Sequence, residues 1–322
     1  MTRYLFSGHF PVFEGDVVRW FLLRRLIRSL IVLWGISTIV FVVMRLSGDP
    51  VTLLLPQDAT QADVERVTQQ LGLDKPLWTQ YVIFLANLSR LNFGTSIHLR
   101  QPAFNMAVER LPATLELAVA AFAFAVVIGL PIGVLAARKP YSLFDNVAML
   151  CAAVGQAAPT FFVGIMLILI LSLWVGIFPT SGRGGFDHLV LPAITLGAYA
   201  LASIARLTRS AMLEVIRKDY IRTARAKGLA ERVIIWRHAF KNTAIPVVTI
   251  MGIQLGALLG GAVVTETVFS WPGIGRLAIQ SIYNRDYAVV QATVFLTAFW
   301  FVLLNFAVDV IYGWLDPRIR YN

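Results

Sequence analysis

The residues best placed to do chemistry in this chain are the charged ones between Arg206 and Lys241. Positions 206–243 hold 10 basic and 3 acidic residues (Glu214, Asp219, Glu231), wedged between two long apolar runs. A segment this charged cannot lie in hydrocarbon, so it sits in water at a membrane face. Ile221, Ala224 and Gly228 recur at intervals of three and four and make a narrow stripe whose small residues let a helix approach another surface closely. Arg222, Arg225 and Lys227 surround that stripe and can pair with acidic groups opposite. Gly228 fits a helix C-cap with a new helix after it. Leu229, Val233, Trp236 and Phe240 then suggest a stripe that leans on the membrane. On the residues alone two readings stay open: a docking point for a soluble partner, or a basic loop that only sets topology.

Other chemistry is sparse. The dipeptide Gly-Lys does not occur, so no phosphate-cradling P-loop is present. His9, His98, His188 and His238 are scattered without metal-ligand spacing, and no metal site is expected. No serine, cysteine or carboxylate constellation suggests catalysis, and the lone Cys151 excludes an internal disulfide. Glu116, Glu266 and Asp309 all fall near predicted span ends, so the mid-membrane ionisable groups of ion-coupled transporters are missing. Three polar side chains, Gln156, Gln254 and Asn305, stand at membrane depth, either bonding a neighbouring helix or lining a weakly polar path. Gly252, Gly256 and Gly260 repeat every four residues on one helix face, which suits close packing with another helix or a pathway wall. Trp271, Pro272 and Gly273 open a tight turn, which is either a plain connection or an outer gate or contact for an external protein.

The elements that must position these residues are membrane spans. The 322 residues are 57% hydrophobic and 14% charged, well under the roughly 25% charge of a water-soluble domain. The net charge of +10 comes from basic residues flanking apolar runs, so it points to membrane orientation and not to nucleic acid. Six apolar stretches reach spanning length, at about 26–46, 112–137, 146–177, 189–209, 244–266 and 289–312. The first lacks a small-residue cleavage site before Ser47 and reads as a retained span. The third is too long for a straight crossing, and Pro159 divides it, predicting a kink or a protruding end. With both termini in the cytoplasm, inside segments carry 19 basic residues and outside segments 9. Residues 47–110 then form a sizeable outer segment. It has a helix start at Thr60–Asp63, followed by Val64, Val67 and Leu71 at helical spacing. A second apolar stripe at Leu77, Tyr81, Phe84, Leu85 and Leu88 is too short to span and is expected at the interface or packed on the span ends. The segment is either an ordinary loop with surface helices or a platform for an external partner. The division expected is a cytoplasmic extension at 1–25 and a transmembrane domain at 26–322, with the outer segment at 47–110 and a cytoplasmic loop at 210–243.

The loop resembles the EAA segment of ABC importer permeases. Arg222-Thr223-Ala224, Gly228 and Thr243-Ala244-Ile245-Pro246 follow that pattern, without its leading Glu and with a longer gap before the proline. Both departures resemble the dipeptide/oligopeptide/nickel branch, whose form is close to DYIRTARAKGL at Asp219–Leu229. GDP at 48–50, LGLDKP at 71–76, RLPATLEL at 110–117, LPAITLG at 191–197, ETVFSWPGIGR at 266–276, RDYAVVQ at 285–291 and DPRIR at 316–320 are similar to that branch's B-type permease subunit. The resemblance covers about Trp20 to Arg320, leaving the first 19 residues without a role. It implies an all-α membrane protein with the type I ABC importer permease fold, six transmembrane helices and a helical extracytoplasmic segment between spans 1 and 2. It implies a bacterial inner-membrane location and a non-enzymatic chain that forms half of a pathway for dipeptides or short peptides. Permeases of the same branch for nickel complexes or glutathione, and a self-sufficient ion-coupled transporter, are the alternatives. The implied partners are a C-type permease subunit, two ATP-binding subunits that hold ATP and Mg, and an extracytoplasmic solute-binding protein. Carried over by position, Tyr220, Arg222, Ala224, Arg225 and Gly228 contact an ATPase subunit; given such a partner permease, the spacing of Gly252, Gly256 and Gly260 favours packing against it over lining the pathway.

Overall fold

The computed structural model describes residues 15–46, 60–70 and 72–315. The GDP and DPRIR motifs, Leu71 and residues 1–14 lie outside the described residues. In chain order the helices are α1 (Gly15–Leu46), α2 (Gln61–Gln70), α3 (Leu77–Ser89), α4 (Ala103–Arg138), α5 (Leu143–Ala157) and α6 (Thr160–Trp174, its last turns π-helical). Then follow α7 (Phe186–Ile216), α8 (Asp219–Ala226), α9 (Glu231–Val268), α10 (Ile274–Tyr283) and α11 (Tyr287–Leu315). Among the described residues no strand forms, only an isolated bridge between Thr95 and Pro102. Helix α1 begins at Gly15, ahead of the span start expected at 26, so the end of the predicted extension continues into the first span.

Among the described residues, five helices are long and apolar enough to cross a membrane: those containing Leu23–Leu46, Ala103–Arg138, Phe186–Ile216, Glu231–Val268 and Tyr287–Val308. The predicted third span is a helix pair bent by 110° and broken at Pro159, where a kink was expected. Its cause is local. Ala158, held extended at ψ 129° by the proline that follows it, ends α5, and Pro159 caps α6. The contacts settle where the pair begins and ends. At the start of α5, Asp145 is buried and takes both Nε and Nη2 of Arg209 near the C-terminal end of α7, at 2.5 and 2.6 Å. The Tyr141 amide donates to the same carboxylate at 2.8 Å. After α6, Arg183 pairs with Glu116 in the first half of α4, and the Gly182 amide bonds the Phe269 carbonyl at 2.8 Å. The pair therefore leads from one end of the bundle to the other.

The core is the parallel pairing of α4 with α7, the most extensive contact in the bundle. Small residues make it close. A Cβ at Gly133 would stand 2.6 Å from the Ala205 carbonyl oxygen, and one at Gly197 2.6 Å from that of Ala121. Gly129 has the Leu201 carbonyl at 3.0 Å by the same measure. Ala121, Ala125, Ala200 and Ile204 fill the same seam, with Leu258, Ala262 and Trp271 closing it. Lipid tails are as apolar as the core, so association here rests on such backbone approach more than on burial.

Candidate functional site

The basic corner is built on α8 and the start of α9. Helix α8 stops because Gly228 takes φ +76°, a left-handed conformation open to glycine. The Leu229 amide then bonds the Ala224 carbonyl at 3.3 Å and the Gly228 amide bonds that of Arg225 at 2.9 Å, the paired bonds of a Schellman ending. Glu231, in the first turn of α9, receives Nη2 of Arg225 at 2.8 Å and its Nε at 3.3 Å, bridging the glycine. That hydrogen bond holds the Arg225 guanidinium above its ordinary pKa. Asn242 donates to the Tyr220 hydroxyl at 3.0 Å and so ties α8 to α9 a second time.

Burial holds the corner more firmly than charge does. Ile221 is fully buried among Val134, Met212, Ile234, Ile235 and Ala239. An isoleucine so enclosed contributes on the order of 1.5–3 kcal/mol. An exposed pair such as Arg225–Glu231 contributes about 0–1 kcal/mol. The corner is thus a rigid extension of α4, α7 and α9.

Ala224 is 8% exposed and packs in that same cluster, so its small size serves packing within the chain. Of the residues carried over as contacts, Tyr220, Arg222 and Arg225 are exposed, and nothing lies within 4 Å of a Cβ at Gly228. The stripe of Leu229, Val233 and Trp236 remains exposed.

The polar residues at depth do not converge. Gln156 donates to Ser203 at 2.8 Å and accepts from Arg206, all near the α5–α7 contact. Asn305 donates to its own helix at the Phe301 carbonyl, 2.8 Å away, while Gln254 is buried in α9. The glycine row is split too. Gly252 and Gly256 are buried, and Gly256 stands against Asn305 and Phe301 of α11 in this same chain. Gly260 alone has open space around it.

At the other end of the bundle the turn at 269–273 is an internal piece. Trp271 is 1% exposed, and its indole N–H donates to the Ala113 carbonyl at 2.8 Å. Beside it Glu266 is fully buried, although it lies near a span end by count. The Thr114 hydroxyl donates to its carboxylate at 2.6 Å and the Arg276 amide at 2.9 Å, while Thr114 accepts from the Ile274 amide at 2.8 Å. A Cβ at Gly273 would fall inside this carboxylate, which explains the glycine after Pro272. Arg183, paired with Glu116, stands over the Trp271 ring 6.0 Å from its centroid.

Replacing Glu266 with Leu leaves the Arg276 N–H and one hydroxyl without their buried partner, at about 1–3 kcal/mol for each unmet group. Thermal unfolding of the detergent-extracted protein should therefore fall clearly for Glu266→Leu and less for Glu266→Gln, which keeps one acceptor oxygen. Equal melting of the Leu variant and the parent would show that the network adds no net stability.

The helical bundle, its broken α5–α6 pair and its basic corner describe a multi-pass membrane protein. The chain belongs to the family of binding-protein-dependent transport system inner membrane components, which matches residues 129–321, and the N-terminal part of such components matches 18–118. It is 43% identical over 332 residues to the di/tripeptide transport system permease protein DppB of Pseudomonas aeruginosa, covering 94% of this chain and 99% of that protein. It is 41% identical to the dipeptide permease protein DppB of Escherichia coli K12, over 94% and 99% of the two chains. The glutathione permease protein GsiC of the same strain is 40% identical at the same coverage. Among solved structures, the MetNI methionine ABC transporter in an inward-facing conformation aligns with a TM-score of 0.55 at 24% identity, covering 66% of this chain and 96% of that one, a likeness of fold. The protein is thus a multi-pass permease subunit of a bacterial inner-membrane ABC importer, of the peptide-transport kind.

Proposed function

We propose that this chain forms half of the passage for dipeptides and other short peptides, and that a separate ATPase drives it through the α8 corner. The observation that carries the proposal is the corner itself. It is clamped to three long helices on its buried side and presents Tyr220, Arg222, Arg225 and an unobstructed Gly228 on the other. A push on that outward side would move α4, α7 and α9 together, which is how a rigid element shifts a population between inward- and outward-facing states.

The partners proposed are a C-type permease, two ATP-binding subunits holding ATP and Mg, and an extracytoplasmic binding protein. Gly260, open in the isolated chain, is the one glycine of its row available to the partner permease. In this arrangement the bent pair α5–α6 counts as a sixth crossing, since its two ends lie at opposite ends of the bundle. Both termini then face the cytoplasm. Glutathione is the second reading, carried by the 40% identity to GsiC, and peptide-permease relatives reach 43%.

The test is uptake in liposomes containing the full set of subunits. Radiolabelled dipeptide should accumulate only with ATP and the loaded binding protein. Accumulation by this chain alone, driven by a proton or sodium gradient, would overturn the reading.

A further inference from the structure

Helix α3 lies in the segment expected outside the membrane, yet its exposed arc from Trp78 to Ala86 is apolar, with Asn87 and Ser89 the exposed polar residues at its C-terminal end. Its 13 residues, LWTQYVIFLANLS, include no charge. Trp78 is 72% exposed and Val82 46%, and Ile83 and Ala86 are exposed beside them on the same arc. A helix this short rises about 20 Å and cannot cross a core of about 30 Å.

Its contacts fix its depth. The Tyr81 hydroxyl and the Thr38 hydroxyl of α1 are 2.7 Å apart. The Phe84 ring sits 5.3 Å from Phe41, and the Tyr81 ring is equally near Phe41. Arg45 marks the end of the apolar run of α1. From Arg45 back to Thr38 the helix descends about 10 Å, and to Phe41 about 6 Å. Helix α3 therefore runs beside α1 below the level where α1 leaves the hydrocarbon. Interfacial helices bury their apolar faces to about 5–10 Å, the same range. The α1 surface around it is itself lipid-like, little of it buried, with Trp34, Ile39, Val42 and Val43 exposed.

We propose that α3 is a half-helix embedded in the leaflet opposite the basic corner, with Trp78, Val82, Ile83 and Ala86 against acyl chains. The occupant of this face is lipid, because the exposed arc continues the apolar surface of α1 and carries no charge with which to orient a soluble protein. The rest of the segment is fastened independently. The Ser96 hydroxyl donates to Asp286 at 2.5 Å, and the His98 ring meets the Asn284 carbonyl at 2.9 Å. With lipid on one side and the α10–α11 connection on the other, the segment stays put as a fixed collar. This assignment stands on membrane residence alone and is independent of the solute carried.

The experiment is spin-label accessibility in the assembled importer in liposomes, with Val82→Cys made in a Cys151→Ser background and Asp74→Cys as an aqueous control. The expected result is a severalfold higher ratio of oxygen to nickel-chelate collisions at 82 than at 74. Equal nickel access at the two sites would overturn the proposal. So would exclusion of both reagents from 82, which would place a protein subunit there, and so would nickel access that is lost on adding loaded binding protein. Brominated lipids provide a second measurement that needs no cysteine: they should quench the parent protein more than Trp78→Phe, and equal quenching would count against lipid contact.

Discussion

Gly133→Leu or Gly197→Leu will leave little folded permease in the membrane. At both positions the new side chain meets a backbone carbonyl of the facing helix at 2.6 Å by its first carbon alone. Overpacking a core costs about 1–3 kcal/mol when neighbouring side chains can rotate away. A carbonyl in a helix cannot, so α4 and α7 must separate, and the seam that Trp271 and Leu258 close opens with them. Against a total stability of about 5–15 kcal/mol, that displacement is large. The measurement is the monodisperse fraction after detergent extraction. Gly260→Leu is the internal control, since nothing lies within 4 Å of a Cβ there. It should keep the yield of the chain itself, and co-purification of the partner permease should drop if Gly260 packs on that subunit. A normal yield of Gly133→Leu would show that α4 and α7 can slide apart at little cost.

Gly228→Trp will insert and fold but will carry out little transport. The left-handed conformation at φ +76° costs a non-glycine residue about 1–2 kcal/mol locally, which the surrounding cluster of Ile221, Ile234 and Ile235 can absorb. The indole would project into open space on the outward side of the corner, where the ATPase is proposed to sit. Gly228→Asn separates the two causes, because asparagine tolerates this backbone and is small. Uptake should fall about tenfold or more for Trp, which needs only about 1.4 kcal/mol lost at the contact, and much less for Asn. ATP hydrolysis by the complex should persist without uptake. Uptake equal to the parent in Gly228→Trp would remove the corner from the drive mechanism.

Much of this architecture was legible in the sequence because membrane solvation is a one-dimensional constraint. Apolar runs of spanning length and the basic segment at 206–243 appear directly along the chain, and the runs recur as α1, α4, α7, α9 and α11. The helix ending at Gly228 was equally visible, since a glycine after a basic turn is a local signal. The α4 seam is also present in the sequence, as Ala121, Ala125, Gly129, Gly133 and Ala137 at spacing four, the same spacing as Gly252, Gly256 and Gly260. Spacing identifies a face, but both rows have one, and it does not say which neighbour arrives.

What lay beyond the sequence has that same cause. Ala224 and Trp271 carry types that suit an interface, and both turn inward because distant residues close over them, Val134 and Met212 in one case and Ala113 in the other. Arg183 and Glu116, and Asp145 and Arg209, are far apart in the chain and pair only once α4, α5 and α7 are laid side by side.

By itself, then, the sequence determined that the chain lives in a bilayer and where five of its apolar spans fall, and its motifs resembled one permease family. Those follow from transfer energies and local turns, which each stretch carries on its own. The tertiary structure decided which faces are spent inside the chain and which remain for others, that Pro159 turns the chain through 110°, and that α3 lies beside α1 at the depth of Thr38. The physical reason is that side-chain burial in a bundle depends on partners many residues away, and no local pattern encodes which helix will be opposite.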